Sequence, residues 1–152
     1  MTGMTLIVKT VSRILSPIIL IAGAYIVVHG HLTPGGGFQG GVILACGVIL
    51  LIFAFGLQST EEKVSLDFSN KLKSLSMLFI IIVGLTGLAF GFWFFRSVGA
   101  FPFYYWVPGI PGEIPSAGSL PLYNVGEGIH VAVAFIIIFY SLTRLARREG
   151  EE

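Results

Sequence analysis

Apolar residues run through this chain in four long stretches, at about residues 6–28, 40–58, 72–95 and 125–145. Each is close to the roughly 17–25 residues that a helix needs to cross a bilayer. The pattern predicts an all-α integral membrane fold, a single membrane domain over residues 1–152 with four transmembrane helices. In the first stretch Lys9 and Arg13 lie four apart, on one helical face where both can snorkel to headgroups. Ser16 and Pro17 interrupt that stretch. A helix starting at Pro17 with Ser16 as its cap would be too short for about 30 Å of hydrocarbon at about 1.5 Å per residue. The expectation is therefore one longer helix kinked at Pro17. The third stretch closes on Gly91, Phe92, Trp93, Phe94, Phe95 and Arg96, an aromatic belt followed by a cation. Within it Gly84, Gly87 and Gly91 form a small-residue stripe where another helix could come close.

Composition removes the soluble alternative. The chain is 55% hydrophobic and 11% charged, against roughly 45–50% and about 25% for a soluble domain. So few charges cannot cover several long helices in water. A cleavable signal peptide is not expected, because the first apolar run lacks a small-residue cleavage site. The net charge of +1, with no basic cluster among exposed aromatics, gives no reason to expect a nucleic-acid partner. The single cysteine, Cys46, excludes a disulfide, a cluster or a cysteine zinc site within the chain and reads as a small buried hydrophobe.

Cations give an orientation. Lys9, Arg13, Lys63, Lys71, Lys73, Arg144, Arg147 and Arg148 flank one side of a four-span arrangement, and only Arg96 lies on the other. Both termini are then expected in the cytoplasm. The outer face would carry the glycine-rich segment 29–41 and the proline-rich connection 98–124, whose Phe101, Phe103, Tyr104, Tyr105 and Trp106 suit an interface or a partner protein.

The candidate chemistry sits on that outer side. Residues 29–41 read HGHLTPGGGFQGG. Gly35 to Gly40 match G-x-G-x-x-G in letters, but apolar spans flank them where a dinucleotide fold needs a strand and an acidic residue about twenty positions on. No lysine follows that would make a phosphate loop. The same residues read better as structure. Pro34 stops the first helix, Gly35, Gly36 and Gly37 supply a turn, and Gly37 with Gly41, alongside Gly40, gives a G-x-x-x-G face to the second helix. Gln39 either lines a hydrated pocket or satisfies backbone groups freed by the loop. His29 and His31, two apart, face different ways and have no ligand partners for a metal. Hydrogen bonds to loop carbonyls and a proton relay are their two readings.

Glu127 and His130 lie three apart on one face of the fourth helix, close enough to pair, and ionisable residues inside a span are functional candidates. Asn124 to Glu127 also reads as a capping box, in which Glu127 neutralises its own helix N-terminus. His130 lies one turn deeper, beyond the reach of such a cap. No nucleophile with a positioned base and no cofactor or metal set is visible, so enzyme activity is not expected of the chain by itself.

The string from His29 to Gly41, with an apolar span on each side and G-E-G-x-H at Gly126 to His130, resembles the MnhB-type component of Mrp-type (Mnh-type) multisubunit sodium/proton antiporters. The resemblance covers most of the chain. It implies a small four-helix subunit that works beside other subunits of an Mrp-like membrane complex, in the lipid bilayer of the cell membrane, with Na+ and H+ as the transported ions. It also implies two possible hosts, a free-standing antiporter or a respiratory complex such as a membrane-bound hydrogenase. Glu127, His130, His29, His31 and Gln39 are then the candidates for an ion pathway, and a purely structural assembly subunit is the alternative.

Overall fold

The first apolar stretch forms one helix in spite of its proline. In the computed structural model, which describes residues 4–32, 34–61, 64–89, 93–95 and 117–149, α1 spans Leu6–His29 with Pro17 inside it. Ser16 does not cap a helix there. Its buried hydroxyl donates to the Gly47 carbonyl of the next helix at 2.9 Å, a polar tie between two spans.

The second helix, α2 (Gly37–Phe55), takes the glycines into its first turns and so starts earlier than residue 40. Its N-cap, Gly36, has φ 151°, a conformation that side-chain-bearing residues rarely adopt. It stops at Phe55 because Gly56 turns to φ 88° while still donating to the Ile52 carbonyl. A short helix, α3 (Leu57–Glu61), follows.

The next span, α4 (Leu66–Ala89), is displaced from the expected 72–95 at both ends. Ser65 starts it by accepting the Phe68 N–H at 3.2 Å, and Asp67 lies in its first turn, so part of the charged loop becomes helix. Beyond Ala89 the chain folds back. Phe95, at φ 63°, donates its N–H to the Gly84 carbonyl, and the rings of Phe94 and Phe95 lie over Gly84. The stripe at Gly84 thus receives the chain's own aromatics where a second helix was expected, while Gly91 and Arg96 lie outside the described residues.

The last helix, α5 (Leu120–Glu149), begins five residues before the expected 125. Pro121 is tolerated because first-turn N–H groups have no intrahelical acceptor, and the Ser119 carbonyl accepts from Leu122 and Tyr123. Asn124 and Glu127 are therefore interior helix residues, and the capping box is ruled out. The aromatic residues of the connection before it, 101–106, lie outside the described residues.

The order across the bundle is α1, α2, α5, α4, with α5 packed between α2 and α4. Ala45, Ile52, Ile136 and Tyr140 are its buried core, and the fully buried Tyr140 donates its hydroxyl to the Val64 carbonyl at 3.1 Å, fastening α5 to the start of α4. Outward faces carry large apolar side chains such as Ile7, Ile14, Ile21 and Leu78. Cys46 is among the exposed residues, a correction to its expected burial: its face of α2 turns away from α1 and α5. Four helices, Leu6–His29, Gly37–Phe55, Leu66–Ala89 and Leu120–Ala146, are long and apolar enough to cross a membrane.

Candidate functional site

Small residues bring three helices together around the start of α2. A Cβ on Gly40 would lie 2.5 Å from Val27 Cγ2 and 2.8 Å from the Val27 nitrogen, so α1 and α2 touch at the backbone. A Cβ on Gly41 would lie 2.6 Å from the Gly128 carbonyl oxygen, which puts α5 equally close on the other side. Gly37 completes the junction against Asn124 and Glu127. Gly30, in the turn after α1, abuts Gly36 and the Asn124 amide. Approach at this distance is open only to residues without a side chain. Of the motif, Gly37, Gly40 and Gly41 are buried, Gly35 and Gly36 are half-buried, and Pro34 is exposed.

Glu127 is set against a helix other than its own. A Cβ on Gly37 would meet the Glu127 Oε2 at 2.7 Å, so the carboxylate borders the first residue of α2. The unpaired N–H groups there carry positive potential. Glu127 is otherwise exposed and makes no ion pair among the described residues.

His130 turns the opposite way, to α4. The Ser76 hydroxyl donates to the Lys73 carbonyl at 2.8 Å, and His130 Nδ1 lies 3.2 Å from that hydroxyl and 3.3 Å from the same carbonyl. A carbonyl only accepts, so Nδ1 carries the proton and Nε2 presents a lone pair. The half-buried ring lines a groove on the α4 side. The expected contact between Glu127 and His130 is absent because α5 separates α2 from α4 and each side chain follows a different neighbour.

The remaining candidates lie around the turn after α1. His29 donates Nδ1 to the Tyr25 carbonyl at 3.2 Å and stacks on the Tyr25 ring with centroids 4.1 Å apart. Both ring nitrogens of His31 are enclosed without a hydrogen-bond partner, so the expected bond to a loop carbonyl is missing there. Gln39 is exposed on the first turn of α2 with its Oε1 beside Gly36. Asn124, Lys73 and Ser76 were not singled out by sequence reasoning. The signal available was the polar spacing of Ser69, Lys73 and Ser76, four and three apart on the α4 face that meets α5.

Residues 7–137 match the family model described as a domain related to the MnhB subunit of Na+/H+ antiporter. The chain belongs to this MnhB family. Among relatives of the MnhB chain, the corresponding Na(+)/H(+) antiporter subunit of Alkalihalophilus pseudofirmus is 31% identical over 137 residues, 90% of either chain. An uncharacterized protein of Methanocaldococcus jannaschii is 33% identical over 133 residues, 84% of this chain and 48% of that protein. One chain of the membrane-bound sulfane sulfur reductase, an archaeal respiratory membrane complex, superposes with a TM-score of 0.74 at 28% identity, covering 93% of this chain and 59% of that one. The MnhB chain thus spans about half the length of the archaeal relative (48%) and nine-tenths of the bacterial one (90%). With family and apolar helices together, it is a multi-pass membrane protein and a member of a transporter-subunit family.

Proposed function

We propose that this MnhB chain is a membrane subunit of an Mrp-type sodium/proton antiporter module, working beside other subunits either as a free antiporter or within a respiratory complex. Both termini lie in the cytoplasm, following the cation distribution, and the glycine junction lies toward the outer face. Most of the chain serves assembly, which the side-chain-free packing of α1, α2 and α5 supports. Redox chemistry in a respiratory host belongs to other subunits, and the MnhB chain itself catalyses no reaction.

The observation that carries an ion-pathway role is Glu127. It is a carboxylate in an apolar span, open to the outside of the chain, bordered by the positive end of α2 and unpaired among the described residues. Such a group is expensive in lipid and finds its use where a neighbouring protein supplies water or a cation. His130, with a free Nε2 at the same helix's other face, is the second candidate for proton passage. Everted vesicles containing the complete complex, with and without this chain, test the reading. Sodium-dependent proton movement should require the chain and return when it is restored; sodium-coupled movement that persists at full rate without it would overturn the assignment.

A further inference from the structure

The α4 helix packs mainly against α5, through Ser69, Ser76, Val83 and Gly87, and leaves its opposite side uncovered. On that side Asn70, Ser74 and Leu78, spaced four apart, form a ridge. A groove of about 510 Å³ lies along one flank, walled by Lys73, Met77, Ile81 and His130. A second, of about 450 Å³, lies along the other flank beside Lys71 and Leu75. Both grooves change character along the helix, from amide, hydroxyl and ammonium groups at one end to aliphatic walls at the other.

The level of that change fits a bilayer boundary. Counting about 30 Å of hydrocarbon back from Ala89 at about 1.5 Å per residue reaches Asn70. Asn70, Lys71, Lys73 and Ser74 then stand at headgroup depth and Leu75, Met77, Leu78 and Ile81 among acyl chains. Lys71 is exposed and Lys73 half-buried, and neither makes an ion pair among the described residues, even though Asp67 lies one turn before Lys71. Two cations flanking a polar ridge that divides two apolar troughs complement one anion carrying two hydrocarbon chains.

We propose that this face of α4 binds an anionic phospholipid, with its phosphate over Asn70 and Ser74 between Lys71 and Lys73 and one acyl chain in each groove beside Leu78. A carboxylate on a partner helix would answer the charge and leave the forked apolar troughs without an occupant. The site requires that α4 crosses the bilayer and is independent of any ion passing through the protein, so its failure and that of the antiporter reading are separable.

Native mass spectrometry of the full chain purified in detergent, titrated with dioleoyl phosphatidylglycerol and dioleoyl phosphatidylcholine, tests it. The wild type should retain the phosphatidylglycerol in preference to the phosphatidylcholine. Lys71→Gln with Lys73→Gln should weaken that retention by about 30-fold, from roughly fivefold per lysine at a membrane surface, whereas Lys71→Arg with Lys73→Arg should keep it. Equal retention of the two lipids, or undiminished phosphatidylglycerol retention in the glutamine variant, would overturn the site. In the intact complex a benzophenone placed at Leu78 should form adducts of lipid mass; adducts to another protein of the complex would make this face a protein interface and defeat the proposal.

Discussion

The two seams made by α5 are built on different principles. Against α2 and α1 it meets backbone with backbone: Gly41 touches the Gly128 carbonyl, and Gly128 in turn lies under Val27. Against α4 it meets side chains, with the rings and branches of Phe79 and Ile80 over Gly126 and a polar link from His130 to Ser76 and the Lys73 carbonyl. A backbone seam has no adjustable part and fixes three helices as one body. A side-chain seam can repack, and it leaves α4 as the span with the most surface for lipid or neighbours.

That contrast predicts a graded response to mutation. Gly40→Leu should have the largest effect, because its side chain would have to displace the Val27 backbone nitrogen; the cost should exceed about 3 kcal/mol and abolish recovery of the folded chain from detergent. Gly37→Ala should cost about 2 kcal/mol in a denaturation titration and push the Glu127 carboxylate away from α2. His130→Ala should cost less, about 1 kcal/mol, since Ser76 keeps its bond to the Lys73 carbonyl when the imidazole is gone. Should His130→Ala unfold the chain as readily as Gly40→Leu, the two seams would not differ in kind. Ser16→Ala, removing one interhelical hydrogen bond to Gly47, should be smallest at about 0.6 kcal/mol.

The four long helices were legible in the sequence because lipid demands long uninterrupted apolar runs, and the G-x-x-x-G face at Gly37 and Gly41 was legible because few other uses place glycines four apart on a span. Helix ends were less so. Local polarity around Asp67 and Pro121 reads as loop, yet Ser65 and the Ser119 carbonyl provide hydrogen bonds that start helices there. The placement of Glu127 and His130 was not readable from spacing. Three residues apart permits contact, but which neighbour each side chain meets depends on α5 lying between α2 and α4, a property of the whole bundle. His31 presents a similar case: no pattern in HGHLTPGG indicates that both its ring nitrogens become enclosed.

Glu127→Gln in the intact complex is the most direct measurement, because it removes the charge at the junction and keeps the shape that the glycines pack against. Blue native electrophoresis should show the assembly unchanged, while sodium-dependent proton movement in everted vesicles falls well below that of the wild type. Full transport by an assembled Glu127→Gln complex would contradict a pathway role for this carboxylate and leave the chain a purely structural subunit.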